Sequence, residues 1–390
     1  MADARPSVLL VASDDWLSSG RLAGLLHEAG CHVTVLCPPH QMAMRTRHVD
    51  RWLPAPPGAD AVIEALRREL ERQRYQWVLA ADGPTLQAMA ARRTERWVEG
   101  WFPVDPRGPH VELLFSKLAL AETAARWDLA VPRSLACWTR AQALRAGAAL
   151  GFPLLLKADR TAGGAGTRLA RDEAELAAAA GGDWGPSVAQ EFIRGRDLPV
   201  EAFYDRGRLT CWVSSYRERA WPEPYGPSTA RRYVSHPAVL ATLETIGQRT
   251  RLHGFASFDF REEAGTGRVL LLEIDARPTP CLHQARRAGV DFALAVRRML
   301  AGHTPSAPLH QRTDRAPTIY MFPQDPVRAL ARGTPAALLP WLFDARRWRD
   351  VPFADPPLLD AYARCLLRAS PARRISGLVR AWWKQPRSPG

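Results

Sequence analysis

The chain has 390 residues, 46% of them hydrophobic and 24% charged. At ~150 residues per domain this is room for two or three domains of an ordinary globular protein, neither disordered nor fibrous. The formal net charge is +13, and of 53 basic residues only Lys117, Lys157 and Lys384 are lysines. The excess is uneven: residues 1–110 are balanced, 111–305 carry 26 basic groups against 21 acidic, and 306–390 carry 14 against 6. A basic chain invites a nucleic-acid reading, but no groove-reading helix, zinc-finger spacing or aromatic RNA-binding pattern is present. The six scattered cysteines form no CxxC pair and read as reduced and mostly buried. Residues 1–20 do not read as a secretory leader, since the short apolar run 8–12 meets Asp14 and Asp15, and no apolar run approaches a membrane span. The expected compartment is the cytoplasm.

In chain order, residues 7–12 (SVLLVA) predict a strand, 22–29 a helix and 31–37 (CHVTVLC) a second strand, a βαβ unit whose parallel strands are buried on both faces. Residues 61–74 predict an amphipathic helix and 77–80 (WVLA) another strand. These segments describe a small Rossmann-like domain over 1–108. The turn after its first strand is SDDWLSSG rather than GxGxxG, which argues against a dinucleotide there. Helices follow over 113–127 and 139–150, then a strand at 153–157 (PLLLK), the loop TAGGAGT (161–167) and a helix over 172–180. Residues 188–192 predict a strand, 198–204 and 209–214 a hairpin, and 255–260 (FASFDF) and 269–274 (VLLLEI) two strands joined by a glycine turn. Residues 215–232 read as an Arg-rich, aromatic loop, and 306–390 as a Pro-rich, basic extension.

Lys157 ends an apolar strand beside a glycine loop. Glycines let backbone N–H groups approach phosphate oxygens and the lysine supplies a point charge, although such a loop more commonly makes a plain hairpin. Asp259, Glu273 and Asp275 fall on two adjoining strands among apolar residues, with Glu273 and Asp275 two apart on one face. Three carboxylates without His or Cys suit a hard cation, Mg²⁺ or Mn²⁺, rather than zinc. Ordinary salt bridges on a solvated face would explain one such carboxylate more readily than the set. Arg277 continues the spacing on the same face.

The order Lys117, PLLLK with TAGGAGT, VAQEFIRGRD, FDF and LLEIDARP resembles the ATP-grasp superfamily over roughly 111–300. The resemblance implies a mixed α/β and α+β architecture. A Rossmann-like domain (1–108) would precede a first lobe with the glycine-rich loop (109–186), a second lobe with the metal site (187–305) and the basic C-terminal extension (306–390). It implies that Lys117 and Lys157 contact ATP phosphates, and that Gly163, Gly164, Ala165, Gly166 and Thr167 close over them. Gln190, Glu191, Phe192 and Ile193 would join the lobes and read adenine, Asp197 would hold the ribose, and Asp259, Glu273 and Asp275 would bind magnesium. Arg277 would neutralise the transferred phosphate. Asp275 stands where the family usually has Asn, adding a charge that tightens metal binding and repels phosphate. The implied activity is an ATP- and Mg²⁺-dependent ligase that activates a carboxylate as an acyl-phosphate for capture by an amine. The alternatives are a bicarbonate-using carboxylase or carbamoyl-phosphate-type enzyme, and a nucleotide-binding scaffold with little catalysis.

Arg217, Arg219, Arg231 and Arg232 are candidates to hold a substrate carboxylate, against a plain solvated loop, and His283 and Gln284 are candidates for the acceptor pocket. In the tail Ile375, Leu378, Val379 and Trp382 keep helical spacing among basic residues, so 371–390 suits either contact with an anionic membrane surface or packing on the chain's own core. Small-molecule substrates are the expected partners, nucleic acid is not, and the chain leaves room for a homodimer.

Overall fold

A computed structural model of the chain describes residues 5–161, 164–181, 185–303, 305–311, 316–332 and 335–369. Among these the strands form three sheets. The first is parallel, ordered β3-β2-β1-β4, from β1 (Ser7–Val11), β2 (His32–Cys37), β3 (Arg51–Pro54) and β4 (Trp77–Ala80). Helices Ser19–Glu28, Ala59–Arg72 and Gly83–Ala91 lie between and after these strands, as the βαβ reading requires. Strand β3, at the sheet's edge, escapes sequence reading because RWLP ends in proline and is mostly exposed, so it carries no apolar periodicity.

The second sheet is antiparallel, ordered β5-β8-β6-β7, from β5 (Ser134–Cys137), β6 (Leu154–Ala158), β7 (Thr167–Ala170) and β8 (Ser187–Glu191). The single helix expected over 113–127 is divided: a 3₁₀ turn Val111–Leu114 precedes the helix Lys117–Trp127. The break is at Ser116, whose hydroxyl accepts from Ala119 N as the N-cap.

The third sheet contains β9 (Gly195–Asp205), β10 (Arg208–Ala220), β11 (Ser228–Val234), β12 (Gly254–Glu263), β13 (Val269–Asp275), β14 (Leu309–His310) and β15 (Thr318–Tyr320). Its path is β13-β12-β9-β10-β11-β15, with β14 beside β10. The stretch 215–232, expected as a loop, is mostly strand: β10 runs to Ala220, β11 resumes at Ser228, and only 221–227 turn. Leu198, Val200, Ala202, Ala256, Phe258 and Phe260 bury one face of this sheet, while Phe203, Phe255 and Val213 bury part of the other. Trp77 joins the first sheet to the third by packing on Phe203 and Phe255, at ring separations of 6.0 and 5.8 Å. A Cβ on Gly254, whose φ is +93°, would stand 3.0 Å from the Trp77 ring, so only glycine permits this approach.

The described C-terminal residues return to the first sheet. Tyr362 Oη donates to Leu17 O at 2.8 Å, and Asp355 accepts from Arg47 N and from the Thr46 hydroxyl. No helix among the described residues is long and apolar enough to cross a membrane. All six cysteines are unpaired and five are buried. Residues 371–390, which include the tail stripe and Lys384, lie outside the described residues.

Candidate functional site

The site lies where the second sheet faces the third. Lys157, near the end of β6, donates from Nζ to Gln190 Oε1 at 2.6 Å, and Gln190 Nε2 donates to Ser134 Oγ at 3.0 Å. Three adjacent antiparallel strands thus aim one polar row into the cleft. Burial pushes the Lys157 ammonium down to about 8, helped by Lys117 and opposed by Glu273 and Asp259. Lys117 opens the helix Lys117–Trp127, whose capping Ser116 donates to Asp159 at 3.0 Å, and its Nζ donates to the Thr161 carbonyl at the start of the glycine loop. Lys117, Ser134, Lys157, Val188, Gln190 and Leu271 line one pocket, which mixes charged, polar and apolar side chains.

The loop's described glycines are required by geometry. Gly164 and Gly166 have φ of +81° and +66°. A Cβ on Gly166 would lie 2.7 Å from Ala158 Cβ, and one on Gly164 would overlap Tyr225 in the 221–227 turn. Loop and turn therefore meet over the cleft. Gly163 lies outside the described residues; Ala165 accepts from Thr161 Oγ1 at 2.7 Å and Thr167 N donates to Gly164 O.

On the third sheet Asp259 and Glu273 are register partners, and Asp275 pairs with Ser257 two positions along. Burial pushes Glu273 up to about 7, with the neighbouring charges of Asp259 and Asp275 adding to it and the two lysines opposing. Burial also raises Asp275, against the pull of Arg277, whose guanidinium is 2.6 Å from the Asp275 carboxylate. Among the described residues no group of three His, Cys, Asp or Glu closes on one metal position, and Asp275 is held by Arg277. The donor set nevertheless fits a hard divalent cation: three carboxylates share one face, and a cation would relieve the repulsion that raises Glu273.

Arg277 also stacks over Trp16 at 4.3 Å. Trp16 belongs to the SDDWLSSG turn after β1. That turn is pinned by Asp82, which accepts from Ser13 N at 2.9 Å and Asp14 N at 3.3 Å. Burial and the Asp82 charge push Asp14 up to about 6. Sequence reading missed Trp16, Asp14 and Asp82 as neighbours of the site; its one signal was that this turn replaced a glycine fingerprint.

Other sequence candidates are arranged differently. Glu191 N donates to Arg133 O, Phe192 N to Pro153 O, and Ile193 O accepts from Arg261 Nε at 2.6 Å. Asp197, expected at the ribose, is clamped between Arg217 and Arg261, because Arg261 is its register partner and Arg217 lies on the next strand. Arg219 turns to Asp325 at 3.5 Å and Arg232 to Glu218 at 3.0 Å. Arg217 and Arg231 remain on the cleft face. His283 and Gln284 are not pocket residues: both bind the buried Asp350, His283 at 2.7 Å, and fasten the C-terminal stretch to the body.

Residues 116–189 match the family model described as the carbamoyl-phosphate synthase L chain, ATP-binding domain. A carbamoyl phosphate synthase large chain from Beutenbergia cavernae is 28% identical over 193 residues, 44% of this chain and 17% of that protein. The chain therefore spans about a sixth of that relative. Among solved structures, N5-carboxyaminoimidazole synthetase from Staphylococcus aureus complexed with ADP superposes with a TM-score of 0.65 at 14% identity, over 85% of this chain and 87% of the other. L-amino acid ligase from Bacillus licheniformis gives 0.58 at 16% identity over 82% and 81%. Biotin carboxylase from Campylobacter jejuni, as its beta-gamma-ATP complex, gives 0.58 at 14% over 77% and 72%.

Proposed function

We propose that this chain, whose fold is that of the ATP-grasp proteins, is an ATP- and Mg²⁺-dependent ligase that activates a carboxylate as an acyl-phosphate for capture by an amine. The observation that supports it most is the convergence of Lys117 and Lys157, two of only three lysines, on one pocket facing Asp259, Glu273, Asp275 and Arg277. In this reading 1–108 are a Rossmann-like domain, 109–186 and 187–305 the two lobes, and 306–390 a basic extension. The compartment is the cytoplasm, consistent with unpaired, buried cysteines.

Lys117 and Lys157 offset charge on the ATP phosphates, and the glycine loop with Tyr225 excludes water from them. Magnesium, held by Asp259, Glu273 and Asp275, would draw charge from the transferring phosphoryl group. Arg277, positioned by Asp275 and Trp16, neutralises the transferring phosphoryl group as a carboxylate oxygen bonds to the γ-phosphorus and ADP leaves. The amine nitrogen then bonds to the acyl carbon, the acyl C–O bond breaks, phosphate leaves with that electron pair, and the nitrogen sheds a proton to solvent. ADP release measured over a matrix of carboxylates and amines, with hydroxylamine capturing acyl-phosphate as a hydroxamate, tests this. No carboxylate-dependent ADP with any member, despite ATP binding, would count against it.

Bicarbonate as the acid is the second reading, favoured by the fold likeness to a biotin carboxylase. It predicts ADP release that depends on bicarbonate alone. A nucleotide-binding scaffold predicts that Lys157→Ala abolishes turnover yet leaves biological activity. Flotation with liposomes, with and without 371–390, tests membrane contact.

A further inference from the structure

The face of the third sheet beyond the proposed metal carboxylates holds three buried polar side chains, each with an atom that has no partner among the described residues. Glu201 on β9 is 1% exposed and its Oε2 is unpaired; Ser215 on β10 is 0% exposed with Oγ unpaired; Arg231 on β11 is 8% exposed with Nε unpaired. The register makes them neighbours. Glu201 pairs with Val213, two residues before Ser215, and Ser215 pairs with Tyr233, two residues after Arg231. Alternation along each strand puts all three on the face opposite the Val200–Ala202 core. Arg231 ion-pairs with Glu201 through its other carboxylate oxygen, Oε1, which also accepts from Thr279 Oγ1 at 3.3 Å. Thr279 lies two residues past Arg277, and Glu201 shares Ser257 as a register partner with Asp275. The cluster therefore adjoins the proposed reaction centre.

A buried polar atom left unmade costs ~1–3 kcal/mol, and three on one patch are a costly arrangement for a fold with no use for them. Their chemistry is mixed: one anionic acceptor, one cationic donor and one hydroxyl, with Arg217 beside Arg231 in register. A simple carboxylate or bicarbonate would satisfy the arginine and be repelled by Glu201; an amine alone would do the reverse. A group carrying ammonium and carboxylate on one carbon satisfies both.

Building on the ligase reading, we infer that the activated carboxylate belongs to an α-amino acid bound as its zwitterion. Its ammonium sits on Glu201 Oε2 with Ser215 Oγ, and its carboxylate is oriented by Arg231 toward Arg277. The carboxylate oxygen bonds to the γ-phosphorus, the bond to the bridging oxygen breaks, and ADP leaves with that electron pair; no proton moves in the step.

The test compares ADP release from a panel of L-amino acids with that from their des-amino counterparts, such as L-alanine with propanoate and L-glutamate with glutarate. The preferred amino acid should exceed its counterpart in kcat/KM by at least about 100-fold. Glu201→Gln should reduce that ratio below about tenfold while the KM for ATP stays within about twofold. Should Glu201→Gln fail to fold, Ser215→Ala, which removes only a hydroxyl, should raise the amino-acid KM by about five- to tenfold with an unchanged melting temperature. Equal use of des-amino acids, or an amino-acid preference untouched in the folded variants, would overturn the inference and leave the ligase standing. Absence of any carboxylate-dependent ADP would remove the ligase reading itself.

Discussion

Lys157 is a charge held where burial disfavours it, and Lys157→Met should expose that conflict. Its ammonium sits at about 8 instead of an ordinary 10.5. A difference of ~2.5 units corresponds to about 3 kcal/mol by which the folded chain disfavours the charged form. The substitution removes that penalty but strips Gln190 Oε1 of its donor, a loss of ~1–2 kcal/mol. At pH 7 the variant should therefore be more stable by ~1–2 kcal/mol, or ~2–5 °C in melting temperature. The sign depends on pH. Because the folded value lies below the unfolded one, the penalty is fully present below about 8 and disappears as pH rises to about 10.5, where the lysine is neutral in both states. Above that only the Gln190 loss remains, and the variant should become the less stable protein. Turnover should move the other way, because a unit charge ~4 Å from phosphate at an effective dielectric of ~20 is worth ~4 kcal/mol, about 10³-fold in rate. Thermal melts at pH 7 and 10.5 with ADP release at pH 7 check it. A lower melting temperature at pH 7, or turnover within tenfold of the parent, would refute the reasoning.

Glu273→Gln should raise the melting temperature of the metal-free protein by removing the burial penalty, and the added repulsion from Asp259 and Asp275, that lift Glu273 to about 7, and should abolish magnesium-dependent ADP release; an unchanged magnesium titration would contradict the site. Gly166→Ala forces a Cβ to 2.7 Å from Ala158 at a φ of +66°. Turnover should fall by about tenfold or more while stability drops only ~1 kcal/mol, read by ADP release beside a melt. Asp350→Ala removes the carboxylate shared by His283, Gln284 and Phe322 N and should cost ~3–5 kcal/mol in a denaturant titration. The KM for ATP should not change, since this cluster ties the C-terminal stretch down and does not face the lysines. Arg277→Ala should lower turnover by ~10²-fold or more with ATP affinity retained, checked by ADP release and nucleotide titration.

Much of the site could be read from the chain because its parts are local. Lys157 follows three leucines and precedes the glycine loop within one hairpin, so strand period and turn chemistry were enough to find it. The three carboxylates are legible as one face because Glu273 and Asp275 obey a period of two and Asp259 interrupts an apolar strand. The misreadings have a different origin. The 215–232 stretch looked like a loop because its buried arginines imitate a solvated surface, yet Arg231 lies in a strand and pairs with Glu201. His283 and Gln284 looked like pocket residues only because Asp350, 67 residues beyond His283, was not visible beside them. The arginine partners of Asp197 come from two other strands and are invisible beside it in the same way.

What the sequence determined by itself was therefore many of the elements, though not β3 or the strands within 215–232, and the presence of two lysines, a glycine loop and a row of acids, each signalled within a few residues by period, turn or scarcity. Tertiary structure alone decided which charges meet. Ion pairing falls off steeply with distance and depends on burial, and both quantities are set by strand register between segments far apart in the chain. Register brings Glu201, Ser215 and Arg231 together with one atom unpaired on each, and brings the turn after β1, through Trp16, onto Arg277.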